Sequence, residues 1–195
     1  MIAVLRSLVL QTVTDPRYAL RRVLSLVPPY QPRWIAAATV IILTVLLTQV
    51  ITIIAPAPPG SPWEAMMGDP VRNTFTQVVF LLAAAWGMSG FARSFGGVAV
   101  FDDALIAVTW IEFLLLILQV VQLVVILALP FLGLPLAVLT LGLFFWLLTH
   151  FTAALNGFSS MAKTFVGVLG ATVIGGILTI VVLGLTGIAA VPVAP

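Results

Sequence analysis

The stretch ALIAVTWIEFLLLILQVVQLVVILAL, residues 104–129, decides the fold of this chain. It holds one charged side chain, Glu112, and is otherwise uncharged and mostly apolar. About 20 apolar residues suffice to cross the hydrocarbon core of a bilayer as an α-helix, and a longer run crosses with tilt. We therefore interpret this stretch as a transmembrane helix.

Four further stretches have the same character, and the charges and helix-breaking residues lie between them. The chain of 195 residues is 62% hydrophobic and only 7% charged, whereas a soluble domain carries roughly 25% charged residues. The sequence thus predicts an all-α polytopic membrane protein, with a cytoplasmic arm at 1–33 and a transmembrane domain at 34–195. The five predicted spans are residues 34–55, 71–92, 104–129, 136–155 and 164–187.

The placement of Lys and Arg predicts the orientation of these spans. If the N-terminus is cytoplasmic, the inside segments carry seven of the eight basic residues and the outside segments carry only Arg72. Cytoplasmic loops of membrane proteins are enriched in Lys and Arg. We therefore expect a cytoplasmic N-terminus and, with five spans, a C-terminus on the opposite side.

The arm has the features of an amphipathic helix. Asp15 is placed to accept hydrogen bonds from the free N–H groups of a first turn, and Pro16 suits the first helical position. Apolar side chains then share the helix with a basic cluster of Arg17, Arg21 and Arg22. Such a helix either lies in the headgroup layer with its arginines on the membrane surface or packs against the protein's own bundle. It is predicted to stop before the first span at Pro28, Pro29 and Pro32.

Two segments of the chain resemble each other. Residues 97–108 and 157–168 align without a gap, and each begins with a glycine, continues with a short amphipathic stretch and opens an apolar span. Spans two and three would then form one hairpin and spans four and five a second, parallel one, as in membrane proteins built from internal repeats. The alternative is a chance resemblance between two segments that both enter the membrane.

Several classes of function find no support in the residues. The chain has no Cys, which excludes disulfides, thiolate catalysis and Cys-ligated metal. It has no basic, aromatic-interleaved patch for a nucleic acid and no catalytic cluster or motif. His150 has Asp102 and Asp103 as the nearest acids at its membrane face, and this trio is a weak metal signal. We predict a non-enzymatic protein with no cofactor and no nucleic-acid partner.

Glu112 is the only carboxylate inside a predicted span, and Thr109 and Gln119 share its helix face. An ionisable residue at membrane depth is costly and is by default a functional hypothesis, such as a proton site, a cation site or an anchor for a headgroup. The alternative is a protonated, hydrogen-bonded carboxyl that holds two helices together. In that case Glu112→Leu should loosen the bundle by about 1 kcal/mol.

Arg93 closes the second span. We interpret it as a contact to the membrane surface, with its charged head in the headgroup layer. The alternative is a phosphate clamp, because the neighbouring Gly96-Gly97 pair exposes backbone N–H groups, although the residues of a phosphate-binding loop are missing.

The fifth span carries a stripe of small residues. Gly167, Ala171 and Gly175 recur every four residues, and such a stripe lets another helix approach closely. Whether that helix belongs to this chain or to another one stays open at this point.

Three segments carry a resemblance to a known family: TDPRYALRR at 14–22, FGGVAVFDDAL at 95–105 and LNGFSSMAK at 155–163. With them the chain resembles the bacterial branch of the Ypt-interacting-protein (Yip) domain family. The resemblance extends from about Asp15 to Gly187 and implies five spans, a cytoplasmic N-terminus and a place in the bacterial inner membrane. Eukaryotic members are linked to Rab-type GTPases and vesicle traffic. That role is not expected here, because the chain lacks their long cytoplasmic N-terminal region.

We expect a membrane scaffold or accessory subunit that binds membrane lipids, other membrane proteins or itself. The alternative is a small transporter or channel that uses the polar face around Glu112. The two hypotheses differ in one observable. A transporter needs Thr109, Glu112 and Gln119 to line a solvated cavity, whereas a scaffold allows them to pack against a neighbouring helix.

Overall fold

Seven α-helices and no strand are present in the residues that the computed structural model describes, namely 2–27, 31–56, 59, 61, 64 and 67–185. A π-helical turn, Gly87–Phe91, continues the fourth helix, and a 3₁₀ turn, Pro130–Leu132, precedes the sixth. The helices are α1 (Ile2–Thr14), α2 (Pro16–Leu26), α3 (Gln31–Ile54), α4 (Pro70–Trp86), α5 (Phe101–Ala128), α6 (Gly133–Asn156) and α7 (Met161–Leu185).

Helices α3 to α7 are long and apolar enough to cross a membrane. The predicted all-α fold with five spans is therefore confirmed. The predicted stop at Pro28-Pro29, most of the proline-rich loop after the first span and the C-terminal tail from residue 186 lie outside the described residues.

Two spans begin earlier than their prolines predicted. Helix α2 ends at Leu26, before the first span as predicted. Helix α3 already begins at Gln31, so Pro32 lies in its first turn and not between the two helices. Helix α6 begins at Gly133 and contains Pro135, whereas the fourth span was predicted to begin at residue 136. The first four N–H groups of a helix have no partner within the helix, so a proline costs no hydrogen bond there.

Aspartates begin two of the helices. Asp15 accepts a hydrogen bond from the Tyr18 N–H at 3.1 Å, which confirms the predicted start of α2. Asp69 accepts hydrogen bonds from the Val71 N–H at 2.7 Å and the Arg72 N–H at 3.0 Å. The bonds from Arg72 and Val71 lower the pKa of Asp69. The carboxylate therefore stabilises the start of α4 fully at pH values above the ordinary pKa of an aspartate. This stabilisation is lost as the pH falls through the lowered pKa of Asp69.

Helix α5 is the centre of the bundle. It packs against α2, α3, α4 and α6, and every residue from Ala104 to Ile111 is buried. Helices α4, α5, α6 and α7 form a closed ring in which each contacts the next, and α3 lies outside this ring against α4 and α5. The end of the bundle at which α3, α5 and α7 begin is called the arm end below.

The ring agrees with the predicted internal repeat. In a repeat, α4 corresponds to α6 and α5 corresponds to α7. The contact between α5 and α6 then corresponds to a contact between α7 and α4, and both contacts are present. Helices α5 and α7 begin at Phe101 and Met161, which are equivalent positions in the alignment of the two segments. One detail differs: the left-handed glycines are Gly96 and Gly157, whereas the alignment pairs Gly97 with Gly157.

Helices α3 and α5 run parallel in a fixed register. At the arm end, Arg33 Nη1 lies 2.7 Å from Asp103 Oδ1, and the Trp34 ring packs on the Phe101 ring. Further along, Gln119 Nε2 lies 3.5 Å from Thr48 Oγ1. The paired residues are 70 and 71 positions apart in the chain at these two levels, so the two helices keep their register between them.

The arm packs against the bundle. Helix α2 contacts α5 and α6 and buries Ala19, Leu20 and Val23, which are at most 5% exposed. Helix α1 packs on α2, and its buried Thr12 accepts a hydrogen bond from the Trp110 indole N–H at 3.0 Å. Of the two interpretations of the amphipathic arm, the structure favours packing against the protein's own helices.

The small-residue stripe of α7 lies in part against α4. A Cβ added at Gly175 would lie 3.4 Å from the Ala83 Cβ, and one added at Gly87 would lie 3.2 Å from the Ala171 Cβ. The partner helix of Ala171 and Gly175 thus belongs to the same chain. Gly167 differs, because a Cβ added there would meet nothing within 4 Å.

Substitution of Gly175 should therefore separate α4 from α7. We expect Gly175→Leu to lower the stability of the detergent-solubilised protein by about 1–3 kcal/mol, the usual cost of inserting methylenes into a packed interface. Gly184→Leu is the matched control, because a Cβ there meets nothing within 4 Å. Thermal melting followed by circular dichroism measures both, and equal melting temperatures would contradict a close α4–α7 contact.

Candidate functional site

The predicted polar face of α5 is divided between different surroundings. Thr109 is buried, and its hydroxyl donates to the Leu105 carbonyl of its own helix at 2.7 Å. Gln119 reaches Thr48 on α3. Neither of the two cavities described below is lined by Thr109, Glu112 or Gln119. The structure therefore does not bring these three side chains together at a cavity that it resolves.

Glu112 is half-buried on α5. Within the described part of the chain its carboxyl group makes no hydrogen bond and no ion pair. The bond to a neighbouring helix that the helix-holding interpretation requires is thus missing from these residues. The expected loss of about 1 kcal/mol on Glu112→Leu has no basis in this arrangement.

A cavity of about 820 Å³ lies between α4, α6 and α7. Phe80, Ala84 and Met88 contribute to its wall from the α4 side, and Phe144 and Leu148 contribute from α6. The small residues of α7 form the third wall: Gly167, Gly170, Ala171, Gly175 and Gly176. The sequence identifies Gly167, Ala171 and Gly175 of this wall as a packing stripe but does not predict a cavity beside them.

The interior of this cavity is apolar. Three threonines line it, but each donates its hydroxyl to a carbonyl of its own chain segment four residues earlier: Thr152 to Leu148, Thr164 to Ser160 and Thr172 to Val168. These local bonds use the hydroxyl protons of all three threonines. A polar solute would find few free hydrogen-bonding groups in this interior.

Apart from these threonines, the polar residues of the cavity lining lie near the arm end. Ser159, Ser160 and Lys163 lie there, in the segment that leads into α7. Ser160 Oγ accepts a hydrogen bond from the Lys163 backbone N–H at 3.4 Å. The Lys163 side chain is exposed, and within the described residues it forms no ion pair. The cavity therefore combines an apolar body with one basic, hydroxyl-bearing end.

The four arginines predicted to contact the membrane surface have different surroundings. Arg17 Nη2 lies 3.2 Å from Met161 Sδ, and Arg22 donates to Gln11 at 2.9 Å. Arg21 is exposed on α2. Arg93 donates to the Ala99 carbonyl at 3.3 Å and so ties the loop before α5 to the end of the π turn. Arg21 is the residue whose exposure best fits a contact with headgroups.

His150 packs within the bundle surface. Its Nδ1 lies 2.8 Å from the Trp146 carbonyl, and its ring packs on the Trp146 ring in a tilted arrangement with centroids 4.5 Å apart. It lines a second, shallow cavity between α6 and α7. Asp103 is paired with Arg33, and no group of three metal-ligating side chains occurs among the described residues.

Asn156 is a residue that sequence reasoning missed. It is buried at the end of α6, where its amide donates to the Met88 carbonyl in the π turn at 2.9 Å and accepts from the Ala99 N–H at 3.1 Å. It thereby joins the ends of α4 and α6 and the loop before α5. A Cβ added at Gly97 would overlap the Asn156 amide, so only glycine fits beside it. An Asn-Gly pair also signals a turn, which hides this role in the sequence.

The fold and the cavity define this chain as a helical integral membrane protein with an apolar cavity that has a basic end. No family model matches the chain. The curated proteins and the solved structures likewise yield no match. The resemblance to the Yip family therefore stays a prediction.

Loss of the Asn156 amide should destabilise the bundle. Asn156→Ala leaves the Ala99 N–H and one bond of the Met88 carbonyl unsatisfied in a buried place, and we expect a loss of roughly 2 kcal/mol. Thr152→Val is the matched control, since the Thr152 hydroxyl bonds only within α6. Chemical denaturation in detergent compares the two variants. Equal stabilities would mean that Asn156 does not hold the hairpins together.

Proposed function

We propose that this protein is a non-enzymatic membrane scaffold or accessory subunit that binds lipids and other membrane proteins. We further propose that it is of the Yip type and lies in a bacterial inner membrane with its N-terminus in the cytoplasm. The Yip assignment rests on the three sequence segments, and the orientation rests on the distribution of Lys and Arg.

The observation that carries the proposal is that polar side chains within the spans form hydrogen bonds between helices. Gln122 donates to the Leu136 carbonyl and to Thr140 on α6, Gln119 reaches α3, and the Trp110 indole donates to α1. These groups hold helices together, as polar residues do in membrane bundles. A transport pathway needs polar side chains along a solvated route, and the resolved cavities have apolar walls.

The outer surface of the bundle supports binding of membrane components. Among the described residues, helix α7 packs mainly against α4, the π turn and α6, and its outer face leaves large apolar side chains uncovered. Val166, Val173, Ile177 and Ile180 are each more than half exposed. In a membrane such a face is covered by lipid tails or by a neighbouring helix.

The proposal is tested by purification from the native membrane in a mild detergent. We expect defined proteins or lipids to be enriched with the wild-type chain over an unrelated five-span protein. Glu112→Gln and Glu112→Leu should keep the same co-purifying components. Both should also keep their stability within about 0.5 kcal/mol, because Glu112 makes no bond among the described residues.

Two outcomes would contradict the proposal. Recovery of the protein without any enriched component would remove the basis for a scaffold. A Glu112→Gln variant that melts like the wild type but loses the cellular phenotype would favour the transporter or channel, because only the titratable group differs between the two side chains.

The orientation is tested with single cysteines, since the chain has no native thiol to compete. Ser61→Cys lies in the loop after the first span and Ser160→Cys lies at the start of α7. We expect a membrane-impermeant maleimide added to intact cells to label position 61 and to reach position 160 only after the membrane is opened. Ser94→Cys, in the other loop at the arm end, should behave as Ser160→Cys does. The reverse pattern would overturn the orientation, and labelling of positions 61 and 160 from one side would overturn the crossing between them.

A further inference from the structure

We infer that the cavity between α4, α6 and α7 is a binding site for one anionic phospholipid. Its phosphate lies against Lys163 and the two serines at the arm end, and an acyl chain fills the apolar interior. This inference rests on the lipid-binding part of the proposed function and names the class of lipid and the place where it binds.

The size and the length of the cavity fit such a ligand. Its volume of about 820 Å³ lies in the range of about 300–1,000 Å³ typical of small-ligand sites. Its α7 wall runs from Lys163 to Gly176, which is about 20 Å along the helix axis at 1.5 Å per residue. The cavity therefore extends from the basic end deep into a hydrocarbon core about 30 Å thick.

The chemistry of the walls selects an amphiphile. The threonine hydroxyls of the interior are bonded to their own helices, so the interior suits a hydrocarbon chain and not a polar solute. The Lys163 ammonium and the hydroxyls of Ser159 and Ser160 lie at one end only. A ligand with one charged end and a long apolar body matches this distribution.

The charge at the basic end selects an anion. No carboxylate lines the cavity, so the Lys163 ammonium has no acidic neighbour on its walls. Among the described residues that line the cavity, Lys163 is the only charged one. A lipid headgroup with a net negative charge therefore complements this end of the cavity better than a zwitterionic headgroup does.

The test uses the intact protein in a mild detergent and native mass spectrometry with added phosphatidylglycerol or phosphatidylcholine. We expect one phosphatidylglycerol to bind per chain in preference to phosphatidylcholine. Lys163→Gln should weaken phosphatidylglycerol binding about fivefold, which is the effect of one basic residue near an anionic lipid, and Lys163→Arg should restore it. Arg6→Gln removes the same charge from an exposed position on α1, away from the cavity lining, and should bind as the wild type does.

A second variant fills the cavity without touching the charge. Gly170 lies about 10 Å deeper than Lys163 along α7, and a Cβ there meets nothing within 4 Å. Gly170→Leu should therefore abolish binding of one phosphatidylglycerol while the protein melts as the wild type does. Gly184→Leu, on the same helix but outside the cavity, should bind normally.

Three results would overturn the inference. The first is that Lys163→Gln and Gly170→Leu both bind phosphatidylglycerol as the wild type does. The second is that the wild type binds the two lipids equally. The third is that Gly170→Cys crosslinks to a protein instead of a lipid in the native membrane. If the wild type binds no lipid in this way but still enriches a protein partner, the lipid site is wrong and the scaffold proposal stands. If neither is recovered, both are wrong.

Discussion

The hydrocarbon core of a membrane contains no water, so every backbone N–H and C=O group of a spanning segment must find its partner within the protein. This constraint explains why the spans are helices, and it applies equally to the polar side chains within them. Asn156 shows how. It is a polar amide at the end of an apolar helix, and its groups bond the π turn that continues α4 and the loop that leads to α5. One buried side chain thereby joins the two hairpins at the arm end.

The same constraint explains how the remaining polar residues are arranged. Most threonines in the spans donate to carbonyls of their own helix, and the longer side chains Gln119, Gln122 and Trp110 reach a neighbouring helix. The arm end gathers the loops, the docked arm and the ion pair of Arg33 with Asp103. Beside this end, the glycines of α7 leave space that no side chain of the described residues fills. The cavity exists because α7 carries small residues on this face while its contacts with α4 and α6 fix its position in the ring.

Prediction from the sequence succeeded for features that depend on the residues of a single helix. The number of spans follows from runs of apolar residues, and Asp15 caps α2 because its carboxylate can bond the first turn of its own helix. It failed where a proline stands in a first turn, since Pro32 and Pro135 cost no hydrogen bond there. For the candidate site, helical spacing placed Thr109, Glu112 and Gln119 on one face. It could not reveal that Thr109 bonds to its own helix and Gln119 to α3.

The sequence by itself determined that this is a five-span helical membrane protein, because the length and hydropathy of each segment alone decide whether it can cross a bilayer. It also determined that α7 would present small residues along one face. Only the tertiary structure decided that α4 covers part of that face, that a cavity remains beside it and that Asn156 holds the hairpins together. The contacts that make these features join residues far apart in the chain, 57 positions for Asn156 and Ala99 and 98 for Trp110 and Thr12. No local pattern specifies such pairs, since each arises from how the helices pack.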